Sequence, residues 1–161
     1  SDLAENGGSG AKAAAQMLSA GIAAQRGRDQ EAINGFEAVA ADTSLPENYR
    51  NLATIRSVAL QYDSMVPAQV IERLKPLAVP GNPWFGSAGE MVAMAHLEQG
   101  NTELAGPLFT QLAVDEKAPQ SLRSRARQMA GLLGYDAVVD VDATLAEMQQ
   151  ETGAPMPEAA Q

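Results

Sequence analysis

An internal echo constrains this chain more than any single motif. Gly27, Ala32, Phe36 and Pro46 recur as Gly100, Ala105, Phe109 and Pro119, with every offset preserved. The two registers lie 73 residues apart, which is two units of about 36 residues, the size of a helical repeat. A weaker middle copy follows Met65, with Val70, Leu74 and Leu77 and then Pro83; it has Pro67 in place of the turn glycine. Each part of the pattern has a physical reason. The glycine lets the first helix end in a left-handed residue and a tight turn. The alanine lets a second helix pack close to the first. The phenylalanine one turn later fills the space between the two helices and the next pair, and the proline starts the next unit. One such hairpin cannot bury its own apolar faces, so about three must stack, with capped ends.

Composition agrees with helices. Of the 161 residues, 45% are hydrophobic but only 4% aromatic, and 30 are alanine. Alanine permits close helix approach, whereas a β-sandwich needs alternating Val, Ile, Tyr and Thr that this chain lacks. Periodic apolar positions predict helices over residues 11–25 and 29–41, then a third opened by Pro46 and carrying Leu52, Ile55, Val58 and Tyr62. Pro67 opens a fourth, which Pro76 ends. Gly81-Asn82-Pro83 reads as a turn into a fifth, with Asn82 as N-cap and Pro83 as first helical residue. Further helices are expected over 102–114, after Pro119, and over about 143–150. Residues 1–10 read as a flexible lead-in, 11–153 as the helical domain and 154–161 as a disordered tail.

Charge and residue inventory exclude several functions. Twenty acids against 11 bases give −9, a poor match for a nucleic-acid backbone or an anionic lipid surface. Without cysteine there is no disulfide, thiolate metal site or cysteine nucleophile. His96 is the lone histidine and reads as a packing or helix-surface residue. Asp136, Asp140 and Asp142 lack the ligand spacing and glycine of a calcium loop, and Gly7-Gly8-Ser9-Gly10 lacks the strand and lysine of a phosphate loop. No nucleophile is paired with a base, so the chain reads as a non-enzyme with no metal or cofactor. Arg123 and Arg127 share a helix face and can clamp a partner's carboxylate or form a solvated face. Met91 and Met94 suit core filling or an adaptable surface. Trp84 and Phe85 staple a helix start, and an exposed Trp84 is a hot-spot candidate.

Two resemblances attach to these residues. The Gly27, Ala32, Phe36 and Gly100, Ala105, Phe109 registers resemble the tetratricopeptide repeat, departing where Ala20 and Ala23, or Ala93 and His96, stand at the usual Gly and Tyr positions. The run Arg73 to Trp84 (RLKPLAVPGNPW), with Glu98-Gln99-Gly100-Asn101 and Ala118 to Ala126 (APQSLRSRA), is similar to an alphaproteobacterial branch of the tetratricopeptide-repeat-like family that includes the ancillary subunit of the Sec translocon. The likeness spans roughly residues 12–133. It implies an all-α, right-handed α-solenoid of about three degenerate hairpins with a C-terminal capping helix. It also implies a periplasmic domain, attached through an upstream inner-membrane anchor, that docks translocon or chaperone components. In such arrays the first helix of each hairpin lines the concave side, which here implies Met17, Gly21 and Gln25, then Leu52, Ile55 and Tyr62, then Glu90, Met94 and Leu97. The expected function is a non-catalytic scaffold for protein segments; the alternative is a self-association module, such as a homodimer.

Overall fold

The punctuation residues divide the chain into α-helices. The structure, a computed structural model, describes residues 2–135, with side chains from Gly8 onward. It runs α1 (Asp2–Gln25), α2 (Asp29–Ala41), α3 (Glu47–Gln61), a 3-10 turn (Tyr62–Ser64), α4 (Pro67–Leu74), α5 (Phe85–Glu98), α6 (Thr102–Ala113) and α7 (Gln120–Leu132). The described chain is all-α, with no strand among the described residues. The expected helix at 143–150, the acidic cluster from Asp136 to Asp142 and the tail lie outside the described residues.

Three boundaries differ from the sequence pattern. Helix α1 starts at Asp2, so it takes in the segment expected as a lead-in. Each glycine there costs about 1 kcal/mol against alanine, but a helix nucleated by the alanine-rich run extends at one hydrogen bond per added residue. Pro46 sits just before α3, not inside its first turn, with ψ 142. Asn82 does not cap α5. Its side chain accepts the Trp84 N–H at 2.8 Å and its carbonyl accepts the Phe85 N–H at 3.0 Å. Asn82-Pro83-Trp84-Phe85 is thus a β-turn with proline at its second position, and Trp84, at φ −98 and ψ 1, fits the third position of a type I turn. The helix begins only after that turn is complete.

The 73-residue echo is an echo of backbone as well as sequence. Helix α1 ends at Gln25 and α5 at Glu98; α2 starts at Asp29 and α6 at Thr102; α3 starts at Glu47 and α7 at Gln120. Gly27 and Gly100 have φ of 70 and 77, and across each turn an N–H reaches back 2.9 Å, Arg28 to the Ala23 carbonyl and Asn101 to the His96 carbonyl. This is the closing bond of a glycine-ended helix. Asp42 and Asp115 then make matching turns, accepting the N–H of Ser44 at 3.0 Å and of Lys117 at 3.1 Å. Pro46 and Pro119 share φ near −58 and −55.

The core divides in the same way. Ala13, Ala20, Ala32, Phe36, Val39, Leu45 and Ala53 join α1, α2 and α3; Phe85, Ala93, Ala105, Phe109, Leu112, Leu122 and Ala126 join α5, α6 and α7. A third cluster, with Ile55, Val58, Val70, Leu74, Ala88 and Val92, links α3 and α5 through α4. The short α4 lies mainly along α5. A polar junction ties it to the first block: the Ser57 hydroxyl and the Arg73 guanidinium, the latter at 2.7 Å, both donate to Glu37 Oε1. Ser57 is fully buried and also accepts from Gln61 at 2.8 Å.

Candidate functional site

A groove opens between α1 and α3. From α1 come Met17, Leu18, Gly21, Ile22 and Gln25, from α3 Leu52 and Arg56, and Phe36 of α2 lies beneath. The α1 spacing places these residues on one helix face. The space is about 330 Å³. That is the bottom of the range for pockets that enclose small molecules, and Leu18, 65% exposed at the rim, leaves it open to solvent. Gly21 creates the space: a Cβ there would meet nothing within 4 Å. Arg56 is the only charged lining residue among the described residues and is exposed. Unlike Lys12, Arg28, Arg73 and Arg125, each bridged to a carboxylate, it has no acidic partner among the described residues.

The groove brings together Met17, Gly21, Gln25 and Leu52 of the positions expected from sequence. The rest are elsewhere. Ile55 is 6% exposed and packs in the α3–α4–α5 core. Tyr62 opens the 3-10 turn, packs on that core, and donates its hydroxyl to Glu98 at 2.9 Å; burial and the Glu98 charge push its phenol pKa up. Trp84 is partly buried against the same core, as a staple requires. Met94 and Leu97 pack on the α5–α6–α7 core, and Met91 on the central one. Glu90 is held by Arg125, with Nε at 2.6 Å and Nη2 at 3.0 Å. This fork raises the Arg125 pKa. Arg123 and Arg127 are partly buried along α7, and the Nε of each is enclosed.

Shifted residue by residue, the groove's counterpart between α5 and α7 is a different surface. Glu90 stands for Met17, Met94 for Gly21 and Arg125 for Leu52. Where the first block leaves space above Gly21, the second places the Met94 side chain against its core. Where the first block is apolar, the second has a salt bridge between helices.

Among the described residues, the perturbed ionisable groups do not converge. Burial would raise the Glu37 carboxyl, but the Ser57 hydrogen bond and the Arg73 charge and hydrogen bond leave it below its ordinary value. Asp42 falls to about 2 through the Ser44 hydroxyl, Lys12 and the Ser44 amide. Burial, then Lys75, lowers His96. None of these lines the groove, and no group of three or more His, Asp or Glu is placed to hold a metal among the described residues. No helix among them is long and apolar enough to cross a membrane.

Sequence reasoning missed Leu18, Ile22 and Arg56 as lining residues. Their signal was the i, i+4 pairing of Leu18 with Ile22 and of Leu52 with Arg56, which marks a shared face once the helix register is known. No family model matches the chain, and no curated protein and no solved structure matches it.

Proposed function

We propose that the chain is a non-catalytic scaffold that docks protein segments, with the groove between α1 and α3 as its docking surface. In this reading the hairpins form a right-handed, tetratricopeptide-like α-solenoid with a C-terminal cap. The full-length protein is held at the inner membrane through an upstream anchor, faces the periplasm, and serves translocated or envelope proteins through translocon or chaperone partners. One observation carries the proposal: an open, shallow groove of mixed apolar and polar lining, with one cation, Arg56, that has no acidic partner among the described residues. A side chain or two from a polypeptide fills such a space, whereas a small substrate would remain in water. Active sites gather perturbed groups, and the scaffold reading needs no such gathering. A photo-crosslinking residue at Leu18 should capture envelope proteins in cells, with translocon or chaperone components among them. The same probe at Leu132, 81% exposed on α7, should capture few. Equal capture at both positions, or capture of cytosolic proteins alone, defeats the proposal.

Self-association is the second reading, and one surface favours it. Ser19, Ala20, Ala23, Gly35 and Ala38 floor a shallow depression across α1 and α2, bordered by Gln16 and Glu31, into which another helix can press. Sedimentation across a concentration series decides: a dimer that persists at low concentration and shields Leu18 from the cross-linker replaces the client-docking reading.

A further inference from the structure

We infer that the docking site is single, confined to the first block, and selects a segment that sets a carboxylate beside its apolar side chains. This rests on the scaffold reading and specifies the ligand and stoichiometry. The repeated turns set two helix pairs in the same register, α1 with α3 and α5 with α7. One substitution decides which is open. Gly21 leaves its position empty, and Met94, its counterpart, packs on the core beneath. A second pair of differences sets the chemistry. Met17 and Leu52 flank the first groove with apolar surface, whereas Glu90 and Arg125 neutralise each other in the second.

Charge complementarity selects the occupant. The chain carries −9 overall, so its general field repels an acidic segment. Yet among the described residues no acid lines the groove, while Arg56, exposed and without an acidic partner there, does. A guanidinium partly withdrawn from water by an apolar ligand gains most from a carboxylate that forks onto it. The fitting partner is therefore an amphipathic protein segment with leucine-like side chains on one face and Glu or Asp at its edge. A uniformly acidic segment lacks the apolar anchor, and a basic one meets Arg56.

The test uses the protein as described and two fluorescein-labelled synthetic helical peptides with the same leucine stripe. One carries Glu beside the stripe and the other Lys. Fluorescence anisotropy should show the Glu peptide binding about fivefold or more tightly than the Lys peptide, at one site per chain. Arg56→Glu should reverse the order. Gly21→Met should abolish binding of both peptides while far-ultraviolet circular dichroism stays helical, since the added side chain enters open space. Equal binding of the two peptides by the wild type overturns the carboxylate inference but leaves the scaffold standing. Two sites per chain, or binding unaffected by Gly21→Met, overturns the single-groove inference. Binding of neither peptide overturns the inference outright; the Leu18 cross-linking result then decides the scaffold reading separately. A concentration-dependent dimer that blocks the peptide assigns the groove to a second copy and overturns it as well.

Discussion

The block of α1 to α3 and the block of α5 to α7 share a backbone plan and differ in what fills it. At the turns they are near duplicates, because glycine, the aspartate turns and the prolines fix the chain there. Along the helices they diverge. The second block sets Phe85, almost fully buried, where the first has Lys12, which reaches out to Asp42 at 2.9 Å. It sets Leu108 where the first has Gly35, and Met94 where the first has Gly21. The exchanges run both ways, since the first block has Ile33 and Leu45 where the second has Gly106 and Ala118, but at Gly21 and Gly35 the smaller residue lies in the first block. A repeat can keep its shape while one copy becomes core and the other keeps a groove.

The largest expected effect separates the two fillings directly. Phe36→Ala and Phe109→Ala remove the same ring from equivalent sites, each costing about 3–5 kcal/mol when no repacking follows. Phe109 is enclosed by Phe85 and Leu112 in one cluster, whereas Phe36 borders the groove and its loss can be partly relieved by water or by Met17 settling inward. Urea denaturation should therefore show the greater loss for Phe109→Ala. A greater loss for Phe36→Ala would break the contrast.

A smaller effect tests the helix crossing. A Cβ at Gly35 would lie 2.9 Å from the Ala20 Cβ, so α1 and α2 approach closely there. Gly35→Ala should destabilise by about 1–3 kcal/mol, the usual cost of overpacking, despite alanine's better helix propensity. Gly21→Ala, with open space above it, should instead gain about 0.5–1 kcal/mol. Thermal melts of the two variants should move in opposite directions; movement in the same direction would show that propensity, not packing, governs the first block.

How far all this was legible in the sequence follows from what each residue constrains. Gly27 and Gly100, Ala32 and Ala105, Phe36 and Phe109 answer to backbone geometry or a filled gap, and such demands leave matched letters. The helices of both blocks could be read from them, whereas the 3-10 turn at Tyr62–Ser64 could not. The repeat register places Gly21 on the lining side, but Gly21 answers to nothing nearby, so no pattern shows that the space above it stays open. Ile55 and Leu52 sit on one helix three residues apart, yet one faces the core and the other the groove; only the angle of α3 against α1 and α4 separates them. Asn82 matched a helix cap by local rules, but Pro83 after it completes a β-turn first. The Glu37, Ser57 and Arg73 junction spans three helices, and no local spacing announces it.

Acid should expose a further difference between the blocks. With the Asp42 carboxyl held at about 2, against an ordinary 3.8, by Ser44 and Lys12, its charged form is the one the fold favours. That contribution is complete above the unfolded value and is lost as the pH falls from about 4 towards 2. Glu37, also lowered, acts in the same direction and joins the first block to α4. Melting temperature measured over this range should fall less steeply in Asp42→Asn than in the wild type. An identical slope would mean that the Lys12 and Ser44 contacts do not persist in solution.

The smallest effect on stability carries the sharpest test of the comparison. Replacing Glu90 by Met and Arg125 by Leu gives the second block the flanking residues of the first. An exposed ion pair contributes only about 0–1 kcal/mol, so this double variant should melt close to wild type and lose some salt dependence. Adding Met94→Gly then removes a packed side chain, at a cost of about 2–5 kcal/mol for a buried methionine and less where the site is partly open. If the difference between copies resides in these positions, the triple variant should bind the Glu-bearing peptide at two sites per chain, the second more weakly because Met129 stands where Arg56 would pair with the carboxylate. Met129→Arg should then strengthen that second site. A triple variant that folds and still binds one peptide would place the distinction in the helix angles, not the side chains.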